Sequence, residues 1–383
     1  MAKRVLITAG GVYGPLDDNK LVGNRVRGIW AARFADHLAD EGYEVTFLVP
    51  DVNTPTPPGP PHDNLRVVVH KGYWDYSQKC QELAATHDAA VMAAAVVNWI
   101  PASPVKGKMA TKGYNEGDVI NIPFVLAPYV IRRMKAINPK LTLIGCKMLI
   151  GSTQDELIEA AYGVLLASKC NVVVANDMAN GLKLKQLVYQ DRTVVNYDND
   201  FGGFFRAMQE SIDDEHYRTD SKYLLHSSVY HKEVFDRIID QYRERFVPRQ
   251  AASDKVFGAV AVRVGGMDIS HDYVESYLVS PREKGTLFTS EDAVSVDGVL
   301  DGVVRTDGKK ATLNAPLLIR VLQKYPKATA VLHLHEQLPG VPTVPYAPPG
   351  TYRDGERTIP GPVFNIEGHG FIACLDHHLR IQS

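Results

Sequence analysis

Cysteine is scarce. The 383-residue chain has four, Cys80, Cys146, Cys170 and Cys374, far apart and with no CxxC pair. That spacing indicates neither a disulfide framework nor a cysteine-based zinc site, and buried reduced thiols are the expectation. A dominant charge is also missing. The formal net charge is −2, which gives no electrostatic footprint for nucleic acid or an anionic membrane. No apolar run approaches the length that spans a bilayer. At the N-terminus, MAKRVLITAGG passes from basic residues straight into a strand-like run, too short for a signal peptide and without its cleavage site. The expectation is a cytoplasmic protein with no nucleic-acid or membrane partner.

What is present is an ordinary core-forming composition, 45% hydrophobic and 22% charged over a length that suits two or three domains. The first half alternates two patterns. RVLITAG, EVTFLVP, AAVMAAAVV, LTLIGCKML and CNVVVAND read as buried strands. GIWAARFADHLADEG reads as a helix, with Trp30, Phe34 and Leu38 on one stripe and Gly42 as its stop. TQDELIEAAYGVLLASK is a second helix, opened by a Thr153…Glu156 capping box. TPTPPGPPHDN is an extended loop. Alternation of this kind predicts a Rossmann-like parallel sheet with helices on both faces. The polar stretch ESIDDEHYRTDSK marks a boundary, giving domains 1–215 and 222–383. Beyond it, the helix KEVFDRIIDQYRERF is followed by short β segments and the helix NAPLLIRVLQKYP, a second α/β domain of more antiparallel character.

Chemistry-bearing residues fall in both halves. In VLITAGGVYGPLDDNKLVGNRVRG a strand runs into a glycine turn, Gly10-Gly11, and then a long loop before a helix. Glycines there let backbone N–H groups approach an anion, although the spacing is not that of the dinucleotide fingerprint. In the second half, KATAVLHLHEQLPG places His333 and His335 two apart, on one face if extended. A further histidine, His369, lies in FNIEGHGFIACLD. Three imidazoles from two strands leave an open coordination position, as catalytic zinc sites do.

The first half resembles phosphopantothenoylcysteine synthetase. The resemblance rests on ITAGG…PLDDNKLVGNRVRG, AAAVVNWIP, VKGKMATKG, LTLIGCKML and NVVVANDMANG in that order, over roughly residues 3–210. It implies activation of a carboxylate by CTP or ATP with magnesium, followed by amide formation. Carried over by position, Asn24 is the asparagine linked to amide formation. Lys106, with Lys108 beside it, meets the nucleotide phosphates. Ala94 and Ala95 pack against the nucleotide, and Asn176 and Asp177 form the family's AND motif. Asn98 stands where the family has aspartate, and Arg25 and Arg27 are added cations beside Asn24, candidates for a substrate carboxylate or phosphate.

The second half, over roughly residues 229–383, resembles the class II aldolase/adducin family. The HxH pair and the later GHG segment carry this, together with GAVAVRVGGMDISHDYVESYLVSP. The resemblance implies an α/β/α domain in which His333, His335 and His369 hold a divalent ion, zinc first among the candidates, for aldolase- or lyase-type chemistry on a carbonyl substrate. Ser280 matches a phosphate-binding serine. Asn314 stands near the family's acid/base carboxylate, so Glu336 and Glu367 become the replacement candidates. Tyr346, Tyr352, Arg353 and Arg357, in PYAPPGTYRDGERTIPGP, are candidates to line a pocket for an acidic substrate.

The expectation is therefore a bifunctional enzyme acting on small molecules in a specialised biosynthetic pathway, assembled as a homo-oligomer, dimer or tetramer. Two alternatives stand beside it. One is a metal-dependent lyase whose first half is a nucleotide-sensing or oligomerisation module. The other is a non-enzymatic scaffold.

Overall fold

The structure is a computed structural model that describes residues 2–180, 184–220, 229–250, 253–269 and 272–382. Positions 221 and 222, at the expected domain boundary, lie outside the described residues. The chain forms two compact units. One comprises Met1–Gln190 and Val194–Asp213, the other Asp191–Thr193 and Asp214–Ser383.

The first unit is built on an eight-stranded sheet. Its order is Val194–Asp198, Leu184–Tyr189, Val172–Asp177, Thr142–Leu149, Ala89–Met92, Arg4–Thr8, Glu44–Pro50, Leu65–His70. From Val172–Asp177 to Leu65–His70 every pairing is parallel. The two strands at the other edge form an antiparallel hairpin. The helices fall into two packed groups, Ile29–Asp40 with Phe201–Asp213, and Gly72–Ala84, Ile131–Ile137 and Gln154–Ser168 in a row. Burial explains the strand composition: Val172–Asp177 is buried along its whole length, as a central parallel strand is. Phe34 and Leu38 of the first helix are buried, and Phe34 meets Phe205 at a ring separation of 5.2 Å. The Thr153 capping box is formed in both directions, with Thr153 Oγ1 accepting from Glu156 N and Glu156 accepting from Thr153 N. The stretch AAVMAAAVV departs from the expected single strand. Only Ala89–Met92 joins the sheet, and Ala95–Val96 turns away to pair with Gly11–Val12. All four cysteines are free, and burial pushes their thiols up to about 12.

One close approach sets the mouth of this unit. Gly28, at φ +65, precedes the first helix, and a Cβ there would lie 2.6 Å from Gly10 N. The glycine turn and the helix start can meet only without that atom. Gly28→Ala adds both left-handed backbone strain and a steric conflict. It should lower stability by about 3 kcal/mol, read by urea unfolding. A variant within about 1 kcal/mol of the wild type would show that the contact is not constraining.

The second unit carries a nine-stranded sheet. Its order is Arg218–Asp220, Val303–Thr306, Val294–Leu300, Asp272–Val279, Ala259–Ile269, Ala330–Leu334, Gly370–Leu375, Val363–Ile366, Thr343–Val344. Its pairings are antiparallel except at the two outermost strands. Alternation along the central strands feeds two cores. Val260, Val262 and Leu332 pack with Phe235, Ile238 and Ile239 of helix Val229–Tyr242. Ala259, Ala261 and Val331 pack with Leu318, Ile319 and Leu322 of helix Ala315–Lys324. The result is helix on sheet on helix. Among the described residues no helix is long and apolar enough to cross a membrane.

Candidate functional site

His333 lies near the end of the strand Ala330–Leu334, opposite Ala259, and His335 follows just beyond it. His369 sits in the turn before the strand Gly370–Leu375, which pairs with the histidine strand. That turn comes close to its neighbour: a Cβ on Gly370 would lie 2.1 Å from Leu334 O. Glycine at this position is what brings His369 to the other two. One nitrogen of each ring falls within 4.8 Å of the others. Ring centroids are 5.0, 4.7 and 4.4 Å apart.

The protonation geometry suits a ligand set. His333 Nδ1 is 2.9 Å from Phe371 O, so it carries the proton and donates. His333 Nε2 is then an acceptor, buried and without a partner. His369 has the same arrangement, with Nδ1 engaged and Nε2 buried and unpartnered. Orphaned acceptors in a buried site are costly unless something fills the gap between them. His335 is held by stacking on Phe257, centroids 4.7 Å apart and planes within 5°. Burial is the main force keeping all three neutral, the form in which imidazole ligates a metal. It takes His333 down to about 4, and His335 and His369 well below their ordinary value. The residues present fit a divalent ion.

Cations surround the histidines. Lys284 is 4% exposed, and its charge bears on both His333 and His335. Burial, and then repulsion from Arg249, bring its ammonium down to about 7. Arg249 lies over the Phe257 ring at 5.3 Å and Arg357 bears on His333 and His369. Nothing in the sequence singled out Lys284, because SPREKG reads as a solvated charged turn. Its site role comes from the pairing of Val256 N with Lys284 O, which places it beside the Phe257 segment.

Glu336 is on the surface, its carboxylate 2.6 Å from Arg245 Nε. Glu367 is exposed. Neither carboxylate is gathered into the three-histidine group. In the turns after each strand the backbone carries both side chains outward. Ser280 Oγ is occupied by the backbone of the central strand, accepting from Val260 N at 3.0 Å. Arg353 grips Asp214 through two hydrogen bonds of 2.7 and 2.9 Å. Tyr352 stacks edge-on against Tyr217. Tyr346 donates to Asp191. Asn314 caps the helix before the histidine strand, buried, with its Oδ1 unpartnered.

In the first unit the glycine turn, the Asn24 loop and the lysine loop come together. Asn24 Nδ2 donates to Ala95 O and Val96 O at 3.2 and 3.1 Å, leaving its Oδ1 as the unspent acceptor. Ala95 N donates to Gly10 O, and Ala94 N to Thr8 Oγ1. The lysine loop is anchored by Asp17 and Asp18, which accept from Met109 N and Gly107 N. The backbone N–H of Met109 first, and then those of Asn19 and Lys20, hold the Asp17 carboxyl well below its usual range. Lys106 and Lys108 remain exposed on the anchored loop, as do Arg25, Arg27 and Asn98. Asp177 is committed to the chain itself. It accepts from Ser152 Oγ and from the backbone of Gly151, Ser152 and Ala179, and is thereby held low. Asn176 donates to Lys147 O. Asp177 thus fixes the entry to helix Gln154–Ser168, and Asn176 ties its strand to Thr142–Leu149. The lysine loop and the Asn24 loop remain the parts open to a ligand.

The family model for the DNA/pantothenate metabolism flavoprotein C-terminal domain matches residues 1–198. The chain belongs to that family. The coenzyme A biosynthesis bifunctional protein CoaBC of Mycobacterium bovis is 26% identical over 182 residues, 47% of this chain and 43% of that protein. The chain therefore spans less than half the length of the curated relatives it matches. Among solved structures, the DNA/pantothenate metabolism flavoprotein from Streptococcus pneumoniae is 20% identical with a TM-score of 0.48, covering 55% of this chain and 99% of that one. L-fuculose 1-phosphate aldolase is 15% identical with a TM-score of 0.29, covering 39% of this chain and 77% of that one. The family match falls on the first unit and on residues 191–193, which pack with the second.

Proposed function

We propose that the chain is a bifunctional enzyme. Its first unit activates a carboxylate with CTP or ATP and magnesium and passes it to an amine. Its second unit performs metal-dependent aldolase- or lyase-type chemistry on a small acidic carbonyl compound. The observation that carries the second assignment is the convergence of His333, His335 and His369, with two buried Nε2 atoms lacking any partner. A divalent ion held there, with zinc the first candidate, would supply Lewis-acid polarisation of a carbonyl oxygen. The protein's own contribution is to exclude water from the histidines and to set Lys284, Arg249 and Arg357 around them. Arg249 and Arg357 are paired with Glu283 and Asp354, so Lys284 is the cation that favours a substrate bearing a carboxylate or phosphate.

Family membership and the anchored lysine loop support the first assignment. Lys106 would meet the phosphates as a point charge, and Asn24, fixed through its amide donors, would offer Oδ1 to the incoming amine. Magnesium with CTP or ATP at millimolar concentration should raise the unfolding temperature by a few degrees, as about 2.7 kcal/mol of linkage at a hundredfold excess over Kd requires. Lys106→Ala should weaken nucleotide binding at least tenfold while leaving metal content unchanged. No shift with any nucleoside triphosphate would remove the ligase assignment. It would favour the reading in which the metal unit alone is catalytic.

A further inference from the structure

The second unit includes three residues distant in sequence from the rest of it, Asp191–Thr193. They form the tip joining the hairpin strands Leu184–Tyr189 and Val194–Asp198, with Arg192 at φ +66. His369 Nδ1 lies 3.0 Å from Thr193 Oγ1 and 3.2 Å from Asp191 Oδ2. Thr193 and His369 are 176 positions apart. Asp191 is itself held in place. Tyr346 Oη donates to its Oδ2 at 2.8 Å, and Thr193 N donates to its Oδ1 at 3.0 Å. His369 and Thr193 are buried, so water does not compete at the imidazole.

A carboxylate only accepts hydrogen bonds. Its position therefore puts the proton of neutral His369 on Nδ1 and leaves the lone pair on Nε2, the atom that is buried and unpartnered. Fixing the tautomer and the ring plane in advance removes a cost that metal binding would otherwise bear. A negative charge behind the ring also raises its basicity as a ligand.

We infer that Asp191, steadied by Thr193 and Tyr346, is the positioning residue that makes His369 a metal ligand, so that the histidine site is completed by the hairpin tip at 191–193. The inference rests on the metal reading of the three histidines. Asp191, Thr193, Tyr346 and His369 all belong to the same compact unit.

The test uses the full chain, stripped of metal and titrated with zinc or cobalt(II) against a competing chelator. Asp191→Ala should raise the metal Kd 10- to 100-fold. Asp191→Asn is nearly isosteric and guards against misfolding. It should fall between wild type and Asp191→Ala, because its amide oxygen still accepts from Nδ1–H but carries no charge. The cobalt absorption bands should shift in both variants. The metal-free unfolding temperature of Asp191→Asn should stay within a few degrees of wild type, which a merely structural role would not allow. If wild type binds metal and both variants bind equally tightly, the inference is overturned and the metal reading stands. If wild type binds neither ion, the metal reading itself fails, and the inference with it.

Discussion

His335→Ala should cost the chain its metal. Protein purified without a histidine tag should carry about one divalent ion per chain, and the variant almost none by elemental analysis. The expected loss of affinity is roughly a thousandfold. Protein zinc sites bind with about 10–16 kcal/mol in total, and one of three imidazoles is a proportionate share of that. The variant should otherwise fold. His335 is half-buried and lies beyond the end of its strand, so alanine removes its ring contacts with Phe257, His333 and His369 without opening the central sheet. Stripping wild type with a chelator should lower its unfolding temperature, and the same chelator should leave the variant unmoved. Equal metal in both proteins would dissolve the site. The orphaned Nε2 atoms of His333 and His369 would then need another explanation.

Lys284→Met should make the protein more stable at neutral pH. Burial has taken this ammonium from an ordinary 10.5 to about 7. Between those values the unfolded chain binds a proton that the folded chain does not, so wild-type stability rises with pH across that window. Below about 7 the full cost of the buried lysine is present. Above about 10.5 it is gone, because both states are neutral. Methionine fills similar space with no charge to desolvate. Metal-free, the variant should exceed wild type by about 3 kcal/mol at pH 6, and the gap should close towards pH 10.5. Urea unfolding at several pH values measures it. A variant that is less stable at pH 6, or whose advantage does not change with pH, would show that Lys284 is not held at this cost. Its retention despite the cost fits a residue that meets an acidic substrate. The same variant should lose affinity for carboxylate- or phosphate-bearing ligands.

Much of the fold was legible in the sequence because its determinants are local. Thr153 and Glu156 are three residues apart, and the capping box they spell is the one formed. Phe34 and Leu38 share a helical stripe and are buried together. His333 and His335 alternate with apolar residues at strand period, and the later histidine falls on the neighbouring strand's entry. The helices Gly72–Ala84 and Phe201–Asp213 leave a weak local mark because each carries glycine, a poor helix former, in its first turn. The edge hairpin went unread because an antiparallel pair ending a parallel sheet leaves no local mark.

The chemistry of the second site divides along the same line. Residue type and a spacing of two sufficed to nominate the histidines. Which carboxylate serves them did not follow from proximity in sequence: adjacent Glu336 points to Arg245 at the surface, whereas Asp191 stands behind His369. The same holds for Lys284, whose burial depends on a pairing with Val256 that no short window contains. Local patterning, with periods of two and 3.6 residues, was enough for most strands and several helices and for nominating the histidines. Which side chains share one buried volume emerges only from the folded chain. That choice depends on chain crossings over more than a hundred residues, and on burial, which sets the charge state of each group once it is there.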